Sequence, residues 1–497
     1  MLSLVILLPL AAAALILALP RAERAARLAF VLVAAVEVAL TAVLWAGYRD
    51  PGAGGLAYEE QLRWIPNVGS SYHVGVDGLS LPLIVLTAVI FLACAIYDWN
   101  ATDRPPPRAA LFLFLEATSV GLFAAQDLIL FFLFFDLSIV GMYFIIAGWG
   151  HGDRARSALK FFLYTFLGSL ALLLGFIGLY LGAEPHTFDI PELLRADALR
   201  NNPAGVWVLG AIVVGLAVKT PTVPFHTWLP PAHTDAPATG SAVLAGVLLK
   251  MGTYGFVRIA MPLLPDAWRA WAPVLITVGV VSVLYGALVA LAQSDLKRMI
   301  AYTSVNHMGY IVLALGAAGA AGAAGESATA ARETAVTGAV TQMVSHGLIT
   351  GALFLLAGVL HSRAGTYSMG AFGGLAAPAP RFAAFFAVGA FASLGLPGFS
   401  GFIAEFQIFA GSIGTVPLTA IALPGILLTA ALFLRALQRV FTGSTKGKST
   451  GFQDLRPSEA WSVGGLLVLS VLIGLFPVPL LDVIAPASAA LVGVAGG

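Results

Sequence analysis

Long apolar runs, separated by short polar stretches, account for most of the chain. They fall near 2–19, 27–47, 78–97, 109–124, 127–149, 158–182, 205–224, 238–260, 271–292, 298–316, 334–360, 382–411, 415–440 and 460–487. A helix rising about 1.5 Å per residue needs roughly 20 such residues to cross the ~30 Å hydrocarbon core of a bilayer. The pattern predicts an all-α integral membrane protein of about 14 transmembrane helices. Two of the runs carry breaks. The seventh contains LAVKTPTVPFH, with Pro221 and Pro224 close behind Lys219. The twelfth contains LGLPGFSGFIAEF, with Pro397, Gly398 and Gly401 ahead of Glu405. Proline removes a backbone donor, and a broken helix survives in a membrane only where protein or a water-filled cavity surrounds it.

The breaks lie five spans apart. Repeats with an odd number of spans must be inverted in the membrane, and paired interrupted helices point to a transport site at mid-membrane. The expected organisation is therefore three N-terminal helices in 1–107, a five-helix repeat in 108–260, a second in 261–441, and a loop with a last helix in 442–497. Basic residues in the loops fix an orientation. Loops on one side hold 17 of the 26 Lys and Arg residues, beginning with Arg21, Arg24 and Arg27, and those on the other hold 7. Lys219 and Lys250 complete the set. The positive-inside bias predicts a multi-pass protein of the inner or plasma membrane with both termini outside.

Composition agrees with this reading. The 497 residues are 59% hydrophobic and 10% charged, against about 25% charged in soluble domains. A net charge of +1 and the lack of a basic tract give no reason to expect nucleic acid. The single cysteine, Cys94, excludes an internal disulfide and a cysteine metal cluster. Neither a phosphate-binding GxxxxGK[ST] loop nor a dinucleotide fingerprint is present. No cofactor is expected in this chain.

The chemistry sits in the few ionisable residues inside apolar runs, which are costly there and mark ion pathways. Lys219 adjoins the first break and Lys250 lies in the next run. Asp136 occupies the middle of LILFFLFFDLSIVGMYFII. With no cation near it in sequence, it must take up a proton or pair with a cation from another helix, and Lys219 is the natural partner. Glu405 follows the second break. Glu37 and Glu116 also lie in apolar runs. His307 and His346 sit within polar stripes at helical spacing, Thr303 with His307 and Asn306 with Tyr310, then Gln342, His346 and Thr350. Histidine titrates nearest neutrality and suits a proton relay. His226 and His233 flank WLPPAH but lack a third ligand, so no metal site is expected. Acids, lysines and histidines in one membrane domain make a switchable proton carrier that needs no cofactor, because a movable carboxylate changes how firmly a buried lysine holds its proton.

Several segments are similar to those of a known family. They are VDGLSLPLIVLT, FFLFFDLSIVGMYFIIAGWG, AVKTPTVPFHTWLPPAHTDAPATGSAVLAGVLLKMGTYGFVR, ALVALAQSDLKRMIAYTSVNHMGYIVLAL and LGLPGFSGFIAEF. From about Val76 to Phe441 the chain resembles the antiporter-like, proton-translocating membrane subunits of NADH-quinone oxidoreductase, respiratory complex I. The likeness is to the subunit M (chain 4) branch, because Glu405 stands where subunits L and N usually carry lysine. The resemblance implies proton translocation coupled to NADH oxidation and quinone reduction elsewhere in a complex. NADH, FMN, iron–sulfur clusters and quinone would then be held by partner subunits, with sister subunits L and N among the neighbours. It places the family's fifth-helix acid at Asp136, its pathway lysines at Lys219 and Lys250, its twelfth-helix acid at Glu405 and its central histidines at His307 and His346. Where the family usually has Trp-Glu, this chain has Phe135-Asp136, one methylene shorter. Multisubunit cation/proton antiporters and membrane-bound hydrogenases share the superfamily and form the alternative reading.

Overall fold

The computed structural model describes residues 1–18, 23–52, 54–197, 199–200, 202–321 and 325–496. Arg21, counted in the first basic loop, lies outside them. Helices α1 (Leu2–Ala18) and α2 (Glu23–Gly47) come first. A two-stranded hairpin follows, β1 (Ala57–Ile65) and β2 (Ser70–Val76). Then come α3 (Leu81–Tyr97), α4 (Pro105–Ala124), α5 (Leu128–Trp149), α6 (Arg154–Gly182), the short α7 (Ile190–Ala196), α8 (Ala204–Lys219) and the short α9 (Leu229–Asp235). One long span is built from α10 (Ala238–Val243), α11 (Leu249–Gly255) and α12 (Met261–Leu263), joined by π-helical turns at Leu244–Leu248 and Phe256–Ala260. The remainder is α13 (Pro265–Ala292), α14 (Leu296–Ala318), α15 (Glu326–Ala364), α16 (Pro380–Ser393), α17 (Ser400–Thr415), α18 (Pro424–Phe441), α19 (Pro457–Leu475) and α20 (Val478–Gly496).

Among the described residues, ten helical segments are long and apolar enough to cross a membrane, and four more are apolar but shorter. Local chemistry sets the helix starts. Proline opens α4, α13, α16, α18 and α19, where its missing N–H costs nothing. Asp127 and Asp295 cap α5 and α14 by accepting from Ile129, Leu130 and Arg298 backbone N–H groups. Both expected breaks are present. The first helix stops at Lys219 and resumes at Leu229, and the second stops at Ser393 and resumes at Ser400. The run at 460–487 departs from expectation. It is two helices, α19 and α20, parted at Phe476-Pro477, because Pro477 cannot continue the hydrogen-bond ladder.

The strands were not anticipated in the 48–77 loop. They pair antiparallel from Ala57 with Val76 to Ile65 with Ser70. Bridges from Val74 to Ala125 and from Asp127 to Asp189 tie the hairpin to the α4–α5 and α6–α7 loops. The Met1 amine meets Glu60 at 2.6 Å. Helix α20 crosses the same end, where its Val483 carbonyl leaves no room for a side chain at Gly78. At the centre, α15 packs on α14 and α17, and the α10–α12 span packs on α15 and α3. Both are buried almost throughout. Helix α6 instead shows Leu163, Leu167, Leu170, Leu174 and Leu181 on its outer face, as a lipid-facing helix must.

Candidate functional site

The site is a set of buried polar side chains carried by the broken helices and by their neighbours α5, α11, α14 and α15. Lys219 is the last residue of α8, so its side chain leaves where the ladder of hydrogen bonds stops. It is buried, donates to the Ser138 hydroxyl at 3.0 Å and lies 4.8 Å from the centre of the Phe135 ring. Asp136 is on the same helix as both contacts. It is half-buried, and its Oδ1 is enclosed without a hydrogen-bond partner. The direct Asp136–Lys219 ion pair expected from the sequence is not made; Lys219 bonds Ser138 instead. The carboxylate still lies within electrostatic range of Lys219, and the Ser169 hydroxyl of α6 is near it.

Lys250 begins a second group. It sits in α11 between the two π-helical turns, which free backbone carbonyls and re-aim side chains. Its ammonium donates to the Ala245 carbonyl and meets His346 Nδ1 of α15 at 2.6 Å. The other ring nitrogen of His346 lies 3.2 Å from the Ser304 hydroxyl of α14. The His307 ring, one turn further along α14, is 5.3 Å from the His346 ring and nearly perpendicular to it. His307 Nε2 is 4.0 Å from Glu405 Oε1 of α17, and neither His307 nitrogen has a hydrogen-bond partner. The second break holds this acid in place. Gly395 has a φ of +74°, and a Cβ there would stand 2.6 Å from Glu405 Oε2. Lys250, His346, His307 and Glu405 thus form one buried line across four helices, and Lys219 stands at a separate break beside α5.

Other predicted residues lie elsewhere. Glu116 of α4 and Glu37 of α2 are wholly buried, and none of their four carboxylate oxygens has a partner. Among the described residues no hydrogen bond or ion pair joins them to the lysine–histidine line, although α4 packs on α11. Thr303 turns its hydroxyl back to the Ile300 carbonyl, and Asn306 donates to Val283 at 2.8 Å. Gln342 Oε1 and Thr350 Oγ1 are buried without partners. The His226 ring packs on Tyr285 and the His233 ring on Phe354. Among the described residues no group of three or more metal-ligating side chains occurs. Sequence reasoning missed the serines. Ser138 and Ser304 bond the site directly, and Ser345, Ser400 and Ser470 form a hydroxyl chain at 2.8 Å per step beside it. A serine in an apolar helix usually satisfies itself on its own backbone, so position alone gives no signal.

Interrupted helices around buried lysine, histidine and acid define a polytopic membrane protein of the ion-transporting kind. The family described as "NADH:quinone oxidoreductase/Mrp antiporter, TM" matches residues 125–431, and the chain belongs to it. It is 39% identical over 431 residues to "NADH-quinone oxidoreductase subunit M" of Rickettsia prowazekii, covering 86% of this chain and 84% of that one. It is 38% identical to "F(420)H(2) dehydrogenase subunit M" of Methanosarcina mazei, covering 90% and 89%. A chain in "Respiratory complex I from Thermus thermophilus with bound NADH" superposes with a TM-score of 0.88 at 32% identity, over the whole of both chains. A chain of the Mrp complex from Dietzia has the same fold, with a TM-score of 0.85 at 20% identity over 100% of this chain and 99% of that one.

Proposed function

We propose that this chain is a proton-translocating membrane subunit, of the subunit M kind, in an NADH-quinone oxidoreductase complex. Quinone reduction elsewhere in the complex drives it. The observation that carries the reading is the buried line from Lys250 through His346 and His307 to Glu405. Each member can bind and release a proton, and no metal or cofactor is needed to link them. Lys219, its charge governed by the field of Asp136, biases the proton affinity of Lys250, and Lys250 takes up the proton. His346 and His307 relay it, and Glu405 passes it on. A carboxylate near Lys219 favours its charged form, so a change in the Asp136–Lys219 separation switches proton retention. Ser138 holds the lysine in the resting geometry. Glu116 is a further acid, set apart from the line.

In this reading residues 108–260 and 261–441 are the two inverted repeats, 1–107 and 442–497 flank them, and both termini face outward. Neighbours are other membrane subunits, with L-type and N-type sisters on either side. NADH, FMN, iron–sulfur clusters and quinone reside in partner chains. The test is purification of the natural complex, identification of its subunits, and proton uptake by vesicles during quinone reduction. A complex without redox subunits that exchanges sodium for protons would establish the antiporter alternative instead.

A further inference from the structure

A second cluster of titratable side chains lies at the end of the bundle away from the hairpin, outside the line just described. The α5–α6 loop brings His151 there, and the last turn of α15 brings His361. Their rings are 4.5 Å apart. His361 stacks on Tyr367 at 4.5 Å and His151 lies tilted against it at 5.5 Å, and both histidines are partly open to solvent. On the buried side of Tyr367 lies Lys297, in the first turn of α14, with its ammonium 5.1 Å from the tyrosine ring. Lys297 is completely buried and donates to the Ala236 carbonyl at 2.6 Å and the Thr234 carbonyl at 3.4 Å, at the end of α9. His233 sits in that same helical turn. It is wholly buried, and neither of its ring nitrogens has a hydrogen-bond partner. The charge of Lys297 acts on His151, His361 and His233, and His233 in turn is within electrostatic range of Lys250 and His346.

A buried imidazole with two idle nitrogens between two buried lysines is costly as packing alone. We propose that His151 and His361 are the proton inlet of this chain, and that Lys297 and His233 carry the proton inward to the Lys250–His346 pair. The Tyr367 ring lies against both imidazoles. The step is a proton transfer only. A hydronium or buffer acid protonates one imidazole, the proton moves to the neighbouring ring nitrogen, and the first ring returns to neutral. Burial, followed by the charge of Lys297 and the neighbouring His361, holds His151 down to about 4. It is therefore neutral at working pH and passes protons rather than storing them. The plain alternative is that Lys297 merely caps the end of α9, and that the three rings are packing.

This inference rests on the proton-translocating function proposed above, and the experiment separates the two. The natural complex is reconstituted in vesicles as wild type and as H151N/H361N. Asparagine keeps a polar side chain of similar reach but cannot carry a proton. The rate of proton uptake during quinone reduction should fall about tenfold or more in the double variant, the scale of losing a positioned acid–base group. Added imidazole should restore it, while leaving the wild type unchanged. If the double variant does not assemble, H361N alone carries the same two readouts. Normal uptake in the assembled variant overturns the inlet, and so does a loss that imidazole does not reverse. If the wild-type complex moves no protons at all, it is the proposed function that fails.

Discussion

At the scale of single residues, most of the candidate site was legible from ionisable side chains in apolar runs, although Glu37 and Glu116, equally visible, lie apart from it. Lys250, His346, His307 and Glu405 were each visible in the sequence, and the fold brings them into one line. Lys219 and Asp136 were equally visible, but their direct contact was not realised. A missing methylene changes reach by about 1.5 Å, and a hydroxyl two residues along the helix takes the lysine instead. Two substitutions test what the acid does. Asp136→Asn removes the charge that biases Lys219 and should cut proton uptake about tenfold or more at equal complex content. Asp136→Glu keeps the charge and lengthens the arm. It should retain pumping, at a stability cost of about 1–3 kcal/mol if the added methylene crowds α6. Normal pumping by the Asn variant, with failure of the Glu variant, would make the position one of packing. Lys219→Ala should assemble, since alanine leaves no unpaired ammonium inside the bundle. It should lose proton uptake to a similar degree, about tenfold or more, and wild-type uptake by the assembled variant removes Lys219 from the pathway.

Among the elements, both helix breaks were readable from proline and glycine. The π-helical turns that bracket Lys250 were not. They arise from packing around a buried span whose sequence is ordinary for a helix. The hairpin was missed for a different reason: β1 is largely exposed and mixed in polarity, so it lacks the clean alternation of a half-buried strand. The second break offers a controlled comparison. Gly395 and Gly398 both have positive φ, +74° and +99°. Alanine at either position costs about 1–2 kcal/mol of backbone strain. A methyl group at Gly395 also displaces the Glu405 carboxylate, whereas at Gly398 the nearest atom is Leu475 Cδ2 at 4.0 Å. Gly395→Ala and Gly398→Ala should therefore lower thermal stability alike, yet only Gly395→Ala should depress proton uptake strongly. Equal pumping in the two variants would mean that the break does not position Glu405 for transfer.

On the scale of the whole molecule, the hairpin joins segments far apart in sequence, and a histidine makes one of the joints. His73 of β2 meets Asp189, at the start of α7, at 2.5 Å and Glu59 of β1 at 2.9 Å. Burial works against a charge on His73, but the bonds to Asp189 and then Glu59 outweigh it, so its pKa is raised above 6.5. A group whose folded pKa is raised stabilises the folded state fully below its unfolded value. That contribution disappears as the pH climbs through the folded value. The α6–α7 loop should thus hold the hairpin most firmly below pH 6.5 and release it progressively above. Hydrogen bonds to charged groups are worth about 1.5–3 kcal/mol each, which sets the scale of the change. Glu60 acts in the opposite range. Burial opposes its charge, but the Met1 amine and Ser3 outweigh burial and bring it from 4.5 to about 2, so its contribution is lost only as the pH falls through that interval. Between the two, the hairpin end is most secure in mildly acid solution. Hydrogen exchange of the 57–76 amides, corrected for intrinsic rate, measures this directly. Wild-type protection should decline as the pH is raised across 6.5 and beyond. His73→Gln should start lower and stay level, because the amide bonds a carboxylate without titrating. Protection that is flat with pH in the wild type, or a parallel decline in the variant, would show that His73 is not the joint that responds.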